Sequence, residues 1–397
     1  MTYIERARAV LSLFLTDYTA EEIEKYTLGA YGTGFSSAEI APTVPLGGGL
    51  NILELWHGPT CAFKDMALQL LPYLLTGAAK RVSDGKETVI LVATSGDTGK
   101  AALEGFKDVP GTRILVFYPE NGVSPMQKLQ MTAQTGNNVG VSAIYGNFDD
   151  AQTGVKRIFT DEKVKAKLAA HNMAFSSANS INWGRLVPQI VYYFSAYADM
   201  IKLKKTRNGE KVNFTVPTGN FGNILAAYYA REMGLPVNRL ICASNANNVL
   251  TEFLTTGRYN RNRPFFTTVS PSMDILISSN LERLLYHLSG NDSETVKKLY
   301  SSLSATGEFT VDGAILDKIK EIFAAGFCDD TETKATIANV FKNARYLCDT
   351  HTAVAVSVYE KYTAATGDTT PNVIVSTASP FKFSKAVLEA VGDGKAM

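Results

Sequence analysis

Apolar and polar positions along this chain fall into two textures. In the first, a continuous apolar run is followed by apolar residues at helical spacing, and the unit repeats. Thr88-Val-Ile-Leu-Val-Ala-Thr94 is the clearest such run; an unbroken β-branched stretch predicts a strand covered on both faces. The pattern predicts strands at 88–94, 113–118, 138–144 and 173–177, with helices at 100–106, 125–134, 149–170 and 183–202. A second block predicts strands 212–216 and 239–244, with helices running to Met233 and over 248–256. Strands alternating with helices predict parallel sheets sandwiched between helices, so the fold class is α/β with two parallel-sheet lobes.

The second texture is mostly helical. Ile4, Ala7, Val10, Leu11, Phe14 and Leu15 recur at helical spacing over 4–26, and Thr19-Ala20-Glu21-Glu22 reads as a second helix start. Residues 29–50 are rich in Gly and Ser and end in the triple glycine 47–49; Asn51 to Trp56 reads as a short strand, and 65–79 as a helix. From 275 to 365 the spacing predicts helices at 279–289, 293–304, 313–325, 333–347 and 352–364. Asn372 to Thr377 is a last strand, with a helix from Ser384. The expected organisation is 1–86, N-terminal helices and a lysine motif packing on the large lobe; 87–204, a small α/β lobe; and 205–397, a large α/β lobe with a helical insertion at 258–365.

Composition narrows the partners. The 397 residues are 45% apolar and 19% charged, with a formal net charge of +1. That balance excludes disorder, a coiled coil and electrostatic capture of nucleic acid. Cys61, Cys242, Cys328 and Cys348 form no C-x-x-C pair, and His57, His171, His287 and His351 lie at no zinc-ligand spacing, so reduced thiols and no metal are expected. The apolar run Val10 to Leu15 is too short to span a bilayer, and no small-residue cleavage site follows it. The expectation is a soluble, cytoplasmic protein that meets a small molecule, with no membrane or nucleic-acid partner, working as a monomer or weak homo-oligomer.

Candidate chemistry gathers where predicted strands end, the place where open α/β sheets bind ligands. In His57-Gly-Pro-Thr-Cys-Ala-Phe-Lys64-Asp65-Met-Ala67, a Gly-Pro turn delivers one lysine to a helix start. A desolvated amine beside a positive helix end loses part of its preference for protonation and suits Schiff-base chemistry; the alternative is a surface lysine in a first turn. Thr94-Ser95-Gly96-Asp97-Thr98-Gly99-Lys100 offers hydroxyls and helix N-terminal amides to a carboxylate or phosphate, or else forms a capped tight turn. It is not a Walker loop, since Gly99-Lys100 is followed by Ala101. Gly219-Asn220-Phe221-Gly222-Asn223 lets several N–H groups converge on a phosphate monoester and lacks dinucleotide spacing. Ser376-Thr377 presents hydroxyls that suit a neutral ring nitrogen, or cap. In Ser180-Ile-Asn182-Trp-Gly-Arg185 the arginine sits in a helix first turn against the dipole, relieved by a bound anion or by a nearby acid. A Schiff-base lysine, a phosphate cradle, a second anion turn and a ring-nitrogen hydroxyl together suit pyridoxal phosphate.

These segments, with Asn179 to Arg185, Ser270-Pro-Ser-Met-Asp-Ile275, Ser278-Ser-Asn-Leu-Glu-Arg283 and Ser376 to Phe383, resemble the threonine synthase family. The resemblance is to its microbial and fungal branch, in the fold type II (tryptophan synthase β-like) group of pyridoxal phosphate enzymes, and runs from about 51 to 385. It implies that Lys64 carries the cofactor and shuttles protons, that Gly219, Asn220, Phe221, Gly222 and Asn223 hold the cofactor phosphate, and that Thr377 with Ser376 faces the ring nitrogen. It further implies that Thr94, Ser95, Gly96, Asp97 and Thr98 serve the substrate carboxylate side, and that Ser180, Asn182 and Arg185, with Lys100, bind the substrate phosphate. The family reaction converts O-phospho-L-homoserine and water to L-threonine and phosphate: Lys64 would remove the α- and then a β-proton, phosphate would leave Cγ, and water would add at Cβ. Rival readings are a lyase acting on O-phosphothreonine or a related phosphoamino acid, and a non-catalytic paralogue that binds one. This branch commonly carries a longer N-terminal region with Ser-Thr-Arg-Gly and Asp-Gly-Gly segments, so a shortened chain is expected. The resemblance gives 270–283 no role beyond a wall or lobe contact.

Overall fold

The computed structural model describes residues 1–392 except Gly48, Ser83, Asp84 and Ser95. Two compact units emerge: Met1–Ile40 with Trp56–Val191, and Ala41–Leu55 with Tyr192–Met397. The boundary therefore differs from the expected 86/87 division. The N-terminal helices Tyr3–Ser12 and Ala20–Tyr31 group with the smaller sheet rather than the larger, and the second packs against Leu71–Val82, where the Tyr18 hydroxyl donates to Leu74 O at 2.7 Å. Segment 41–55 instead supplies strands β1 (Thr43–Pro45) and β2 (Asn51–Glu54) to the larger sheet.

In the first unit, strands β3 (Glu87–Ala93), β4 (Thr112–Pro119), β5 (Val139–Ile144) and β6 (Met173–Ser177) make a four-stranded sheet in the order β5-β4-β3-β6, all parallel. The unbroken run in β3 is explained by its two faces. Ile90 and Val92 pack with Ala101, Leu103 and Phe106 of helix Asp97–Phe106, while Val89, Leu91 and Ala93 pack with Ala151 and Val155 of helix Phe148–Thr160. Burying each such side chain contributes roughly 1.5–3 kcal/mol.

In the second unit, β7 (Val212–Pro217), β8 (Val237–Ser244), β11 (Phe323–Phe327) and β12 (Asn372–Ser376) join β1 and β2 in the order β1-β2-β12-β7-β8-β11, parallel except for the β1 edge. A separate hairpin pairs β9 (Arg258–Asn260) with β10 (Glu308–Thr310). Helix Thr350–Thr366, buried from Thr350 through Val358, covers β7, β8, β11 and β12.

Three predicted elements come out differently. Helix 65–79 is two helices, Asp65–Leu68 and Leu71–Val82, because Pro72 supplies no N–H for a continuing helix. Helix 149–170 divides at Asp161, whose side chain accepts from Lys163 N and Val164 N and starts Glu162–Ala170. Helix 313–325 ends at Ile322, and Phe-Ala-Ala-Gly-Phe becomes β11; a sequence poor in β-branched residues is held extended by its parallel pairing with β8. The span 258–365 is thus no simple helical insertion.

The N-terminal ends of the large sheet are tied by Asp368. Its carboxylate accepts from Asn213 Nδ2 (2.9 Å), Tyr362 Oη (2.7 Å), Asn238 Nδ2 (3.3 Å) and Thr370 N (2.9 Å). Desolvation raises its pKa, but the hydrogen bonds from Thr370, Asn213 and Tyr362 outweigh it and bring the value down to about 2. A depressed carboxylate stabilises the fold above its unfolded pKa and loses that contribution as pH falls through the folded one. Asp368→Asn is expected to lower Tm at neutral pH, with the gap to the unsubstituted protein closing between about pH 4 and pH 2. A gap independent of pH in a Tm titration would contradict this.

Candidate active site

The lysine turn belongs to the first unit. Cys61 N donates to Gly58 O at 3.0 Å, Cys61 takes φ +57°, and Lys64 stands at the N-cap of Asp65–Leu68 with its Nζ 3.8 Å from the Phe63 ring centroid. An ammonium over an aromatic face is held electrostatically and kept half-desolvated. The fully buried Asp65 closes the turn: it accepts from Thr60 N at 2.8 Å and Thr60 Oγ1 at 2.7 Å. This brace was not read from the sequence. Asp65→Ala orphans two buried donors and is expected to cost about 3 kcal/mol of stability in denaturant titration; a loss under about 0.5 kcal/mol would show that the turn holds without it.

The second and third turns leave neighbouring strands of one sheet. After β3, the buried Thr94 hydroxyl accepts from Gly96 N (2.9 Å) and Gly99 N (2.8 Å), so it caps the turn from beneath. Gly96 has φ +135°, and a Cβ there would lie 2.4 Å from the Gln127 side chain, which only glycine avoids. Gln127, itself buried, donates from Nε2 to Asp97 Oδ1 at 3.0 Å while its Oε1 accepts from Ser124 N. The sequence shows the capping box Ser124-x-x-Gln127; its second partner Asp97 is a tertiary fact. Thr98 is half-buried at the helix start, with no hydrogen bond to its hydroxyl among the described residues, and Ser95 lies outside the described residues. Lys100 is drawn along its helix, donating to Glu104 Oε2 at 3.0 Å and to Gln134 Oε1.

After β6, Asn179 Nδ2 reaches across to Ala93 O of β3 at 3.1 Å, which joins this turn to the previous one. Asn182 Nδ2 donates to Ser177 O, and its Oδ1 accepts from Gly184 N, both at 2.9 Å; Ser180 is half-buried beside it. Arg185 is 3% exposed. Its Nη1 donates to Ala178 O at 2.6 Å, no carboxylate pairs with it among the described residues, and Nε is buried without a partner. Burial alone pulls its pKa down to about 10, so at neutral pH a cation sits desolvated with donors to spare. That arrangement fits an anion.

In the second unit, the turn after β7 is built to aim N–H groups outward. Ser278 Oγ donates to Gly219 O (2.9 Å), and Asn280 N and Nδ2 donate to Asn220 O (3.2 and 3.0 Å). A Cβ on Gly219 would lie 3.0 Å from Ser272 O and 3.2 Å from Met273 Cα, so the 270–280 segment lies directly against the turn. This gives the segment a role the sequence left open: it satisfies the carbonyls of the 219–223 turn. The N–H groups of Asn220, Phe221 and Gly222 meet no acceptor among the described residues, and Phe221 is buried with φ +65° as the N-cap of Gly222–Glu232. Asn223 Nδ2 is a further buried donor without a partner. Convergent unfilled donors at a helix N-terminus fit a phosphate.

At the end of the neighbouring strand β12, the two hydroxyls differ. Ser376 Oγ accepts from Thr352 Oγ1 at 2.9 Å, and nearby the Tyr346 hydroxyl donates to Glu54 at 2.8 Å. Ser376 is thus engaged in the core, whereas the Thr377 hydroxyl meets no partner among the described residues.

The family model described as "Pyridoxal-phosphate dependent enzyme" matches residues 44–378. A threonine synthase of Pseudomonas aeruginosa is 40% identical over 398 residues, covering 100% of this chain and 81% of that protein. The chain is a member of the pyridoxal-phosphate-dependent enzyme family, in its threonine synthase branch. The solved PLP-bound threonine synthase from Brucella melitensis superposes with a TM-score of 0.89 at 41% identity, covering 100% of this chain and 82% of that one, so the fold is that of the type II group. The human protein named threonine synthase-like 1 is 41% identical over 399 residues, 98% of this chain but 53% of that protein. The chain therefore spans about half the length of the threonine synthase-like 1 proteins it matches.

Proposed function

We propose that this chain is a threonine synthase, converting O-phospho-L-homoserine and water to L-threonine and phosphate with pyridoxal phosphate as cofactor. The observation that carries this reading is Arg185: a buried guanidinium with no carboxylate partner among the described residues, beside the hydroxyl turn of the adjacent strand, calls for a second anion besides the cofactor phosphate. A dehydratase acting on an unphosphorylated amino acid has no use for it.

Lys64 would hold the cofactor and move protons at Cα and Cβ of the substrate. The amides of Asn220, Phe221 and Gly222, with Asn223 Nδ2, hold the cofactor phosphate. Bound there, the cofactor supplies the electron sink that acidifies the substrate Cα–H. Thr377 would be the residue to meet its ring nitrogen, where a hydroxyl rather than a carboxylate would favour the neutral nitrogen. Asp97, oriented by Gln127, and Thr98 meet the amino-acid end of the substrate, while Arg185 with Ser180 and Asn182 receives its phosphate. Lys100 and the Thr94 hydroxyl contribute at a remove, through the helix and the cap they are bonded to. The setting is the cytoplasm, with a small-molecule substrate and no required macromolecular partner; no helix among the described residues is long and apolar enough to cross a membrane.

Incubation with O-phosphohomoserine, assayed for threonine, 2-oxobutyrate and phosphate together, tests the reading. Threonine and phosphate in equal amounts are expected. Oxoacid in place of threonine would make the protein a phospho-lyase, and cofactor binding with neither product would make it a binding paralogue.

A further inference from the structure

Asn223 carries two observations that the reading above leaves unexplained. Its Oδ1 accepts from two tyrosine hydroxyls at once, Tyr192 Oη at 2.5 Å and Tyr193 Oη at 2.6 Å, and its Nδ2 is buried with no partner among the described residues. A side-chain amide is nearly symmetric in shape, so packing alone does not decide which of its ends points where. The distances decide it: both lie in the O–H···O range and below that of N–H···O, so the oxygen faces the tyrosines. Burial pushes the Tyr193 hydroxyl far above its ordinary pKa, so it stays protonated and donates; it reaches Asn223 O as well, at 3.1 Å. Both rings are fully buried, and Tyr193 is set edge-on against Phe214 of β7 with centroids 5.0 Å apart. The tyrosines are therefore fixed donors that hold the amide from behind.

We propose that Tyr192 and Tyr193 are positioning residues that lock the flip state of Asn223, so that its NH2 group and not its carbonyl faces the anion held by the 219–223 turn. This rests on the reading of that turn as the cofactor-phosphate site. Turned around, the amide would aim an oxygen at a dianion and withdraw Oδ1 from both tyrosine hydroxyls. Locking removes that alternative before the ligand arrives, so none of the binding free energy goes into selecting the orientation. The two tyrosines follow one another on helix Trp183–Lys202, so both ends of the arrangement are carried by helices rather than by loops.

The test compares two ligands that differ only in the phosphate. Protein stripped of cofactor is titrated with pyridoxal phosphate and with pyridoxal, and the ratio of the two affinities is the readout. A general loss of packing weakens both ligands and leaves the ratio alone. In Tyr192→Phe/Tyr193→Phe the ratio is expected to fall by about tenfold, approaching that of Asn223→Ala, with pyridoxal binding unchanged. The single Phe variants give intermediate ratios and replace the double variant if it does not fold. A ratio unchanged in the Phe variants but lowered in Asn223→Ala would overturn the locking and keep the turn as the phosphate site. A ratio unchanged in Asn223→Ala as well would overturn the phosphate-site reading itself and the locking with it.

Discussion

Lys64→Ala is expected to abolish covalent capture of the cofactor, the role proposed for this amine. Borohydride treatment followed by peptide mass analysis is expected to label the 57–67 segment in the unsubstituted protein and nothing in the variant. Threonine formation falls with it, by about 10²–10⁴ from the loss of a positioned general base alone. The arrangement around the amine gives the reason no neighbour substitutes for it. Phe63 offers an aromatic face, Asp65 is turned back onto Thr60, and Lys100 is held by Glu104 and Gln134. Labelling of any other lysine in the unsubstituted protein would assign the carrier elsewhere.

Arg185 gives the second large effect, and its two consequences have opposite signs. As a buried cation with no carboxylate partner among the described residues, it is expected to destabilise the ligand-free protein, so Arg185→Met should leave Tm unchanged or raise it. The same substitution removes the donors proposed to receive the substrate phosphate, and kcat/KM for O-phosphohomoserine is expected to fall by about 10²–10⁴, with cofactor content intact. Arg185→Lys does not restore turnover, because a point ammonium cannot both reach Ala178 O and present a planar fork to phosphate. Loss of cofactor instead of substrate turnover would show that the two anion sites had been exchanged. A large fall in Tm would show that Arg185 is a structural group.

Much of the fold was legible in the sequence because its signals are local. The run Thr88–Thr94 gave β3 nearly to its ends, and helix 183–202 and strand 173–177 came out as predicted. β11 did not, because Phe-Ala-Ala-Gly-Phe has no β-branched residue and a weak extended propensity, and it is held as a strand by pairing with β8. The domain boundary failed for a similar reason. Segment 41–55 leaves the lysine motif it precedes and joins a sheet whose other strands lie more than 150 residues further along.

For the site, the chemistry-bearing residues announced themselves by type and by place. A lone lysine after Gly-Pro, glycine turns after apolar runs and an arginine in a helix first turn are each anomalies within a few residues of sequence. What holds them is not local. Asp65 reads as an ordinary first-turn acid, Gln127 as half a capping box, Tyr192 and Tyr193 as core aromatics, and Ser278 and Asn280 as loop residues. Each acquires its part only where the fold sets it against Thr60, Asp97, Asn223 or the carbonyls of Gly219 and Asn220. The sequence by itself determined the α/β character of the chain and its cofactor class, and it marked the residues proposed to touch ligands, because backbone propensity and side-chain chemistry are properties of short segments. The tertiary structure alone decided which donors and acceptors are already satisfied: Thr94, Lys100 and Ser376 are committed to the protein, while Arg185 Nε, Asn223 Nδ2 and the amides of 220–222 are left with hydrogen bonds to give. Hydrogen-bond satisfaction depends on partners far apart in the chain, and it separates the groups bonded within the protein from those proposed to meet the ligand.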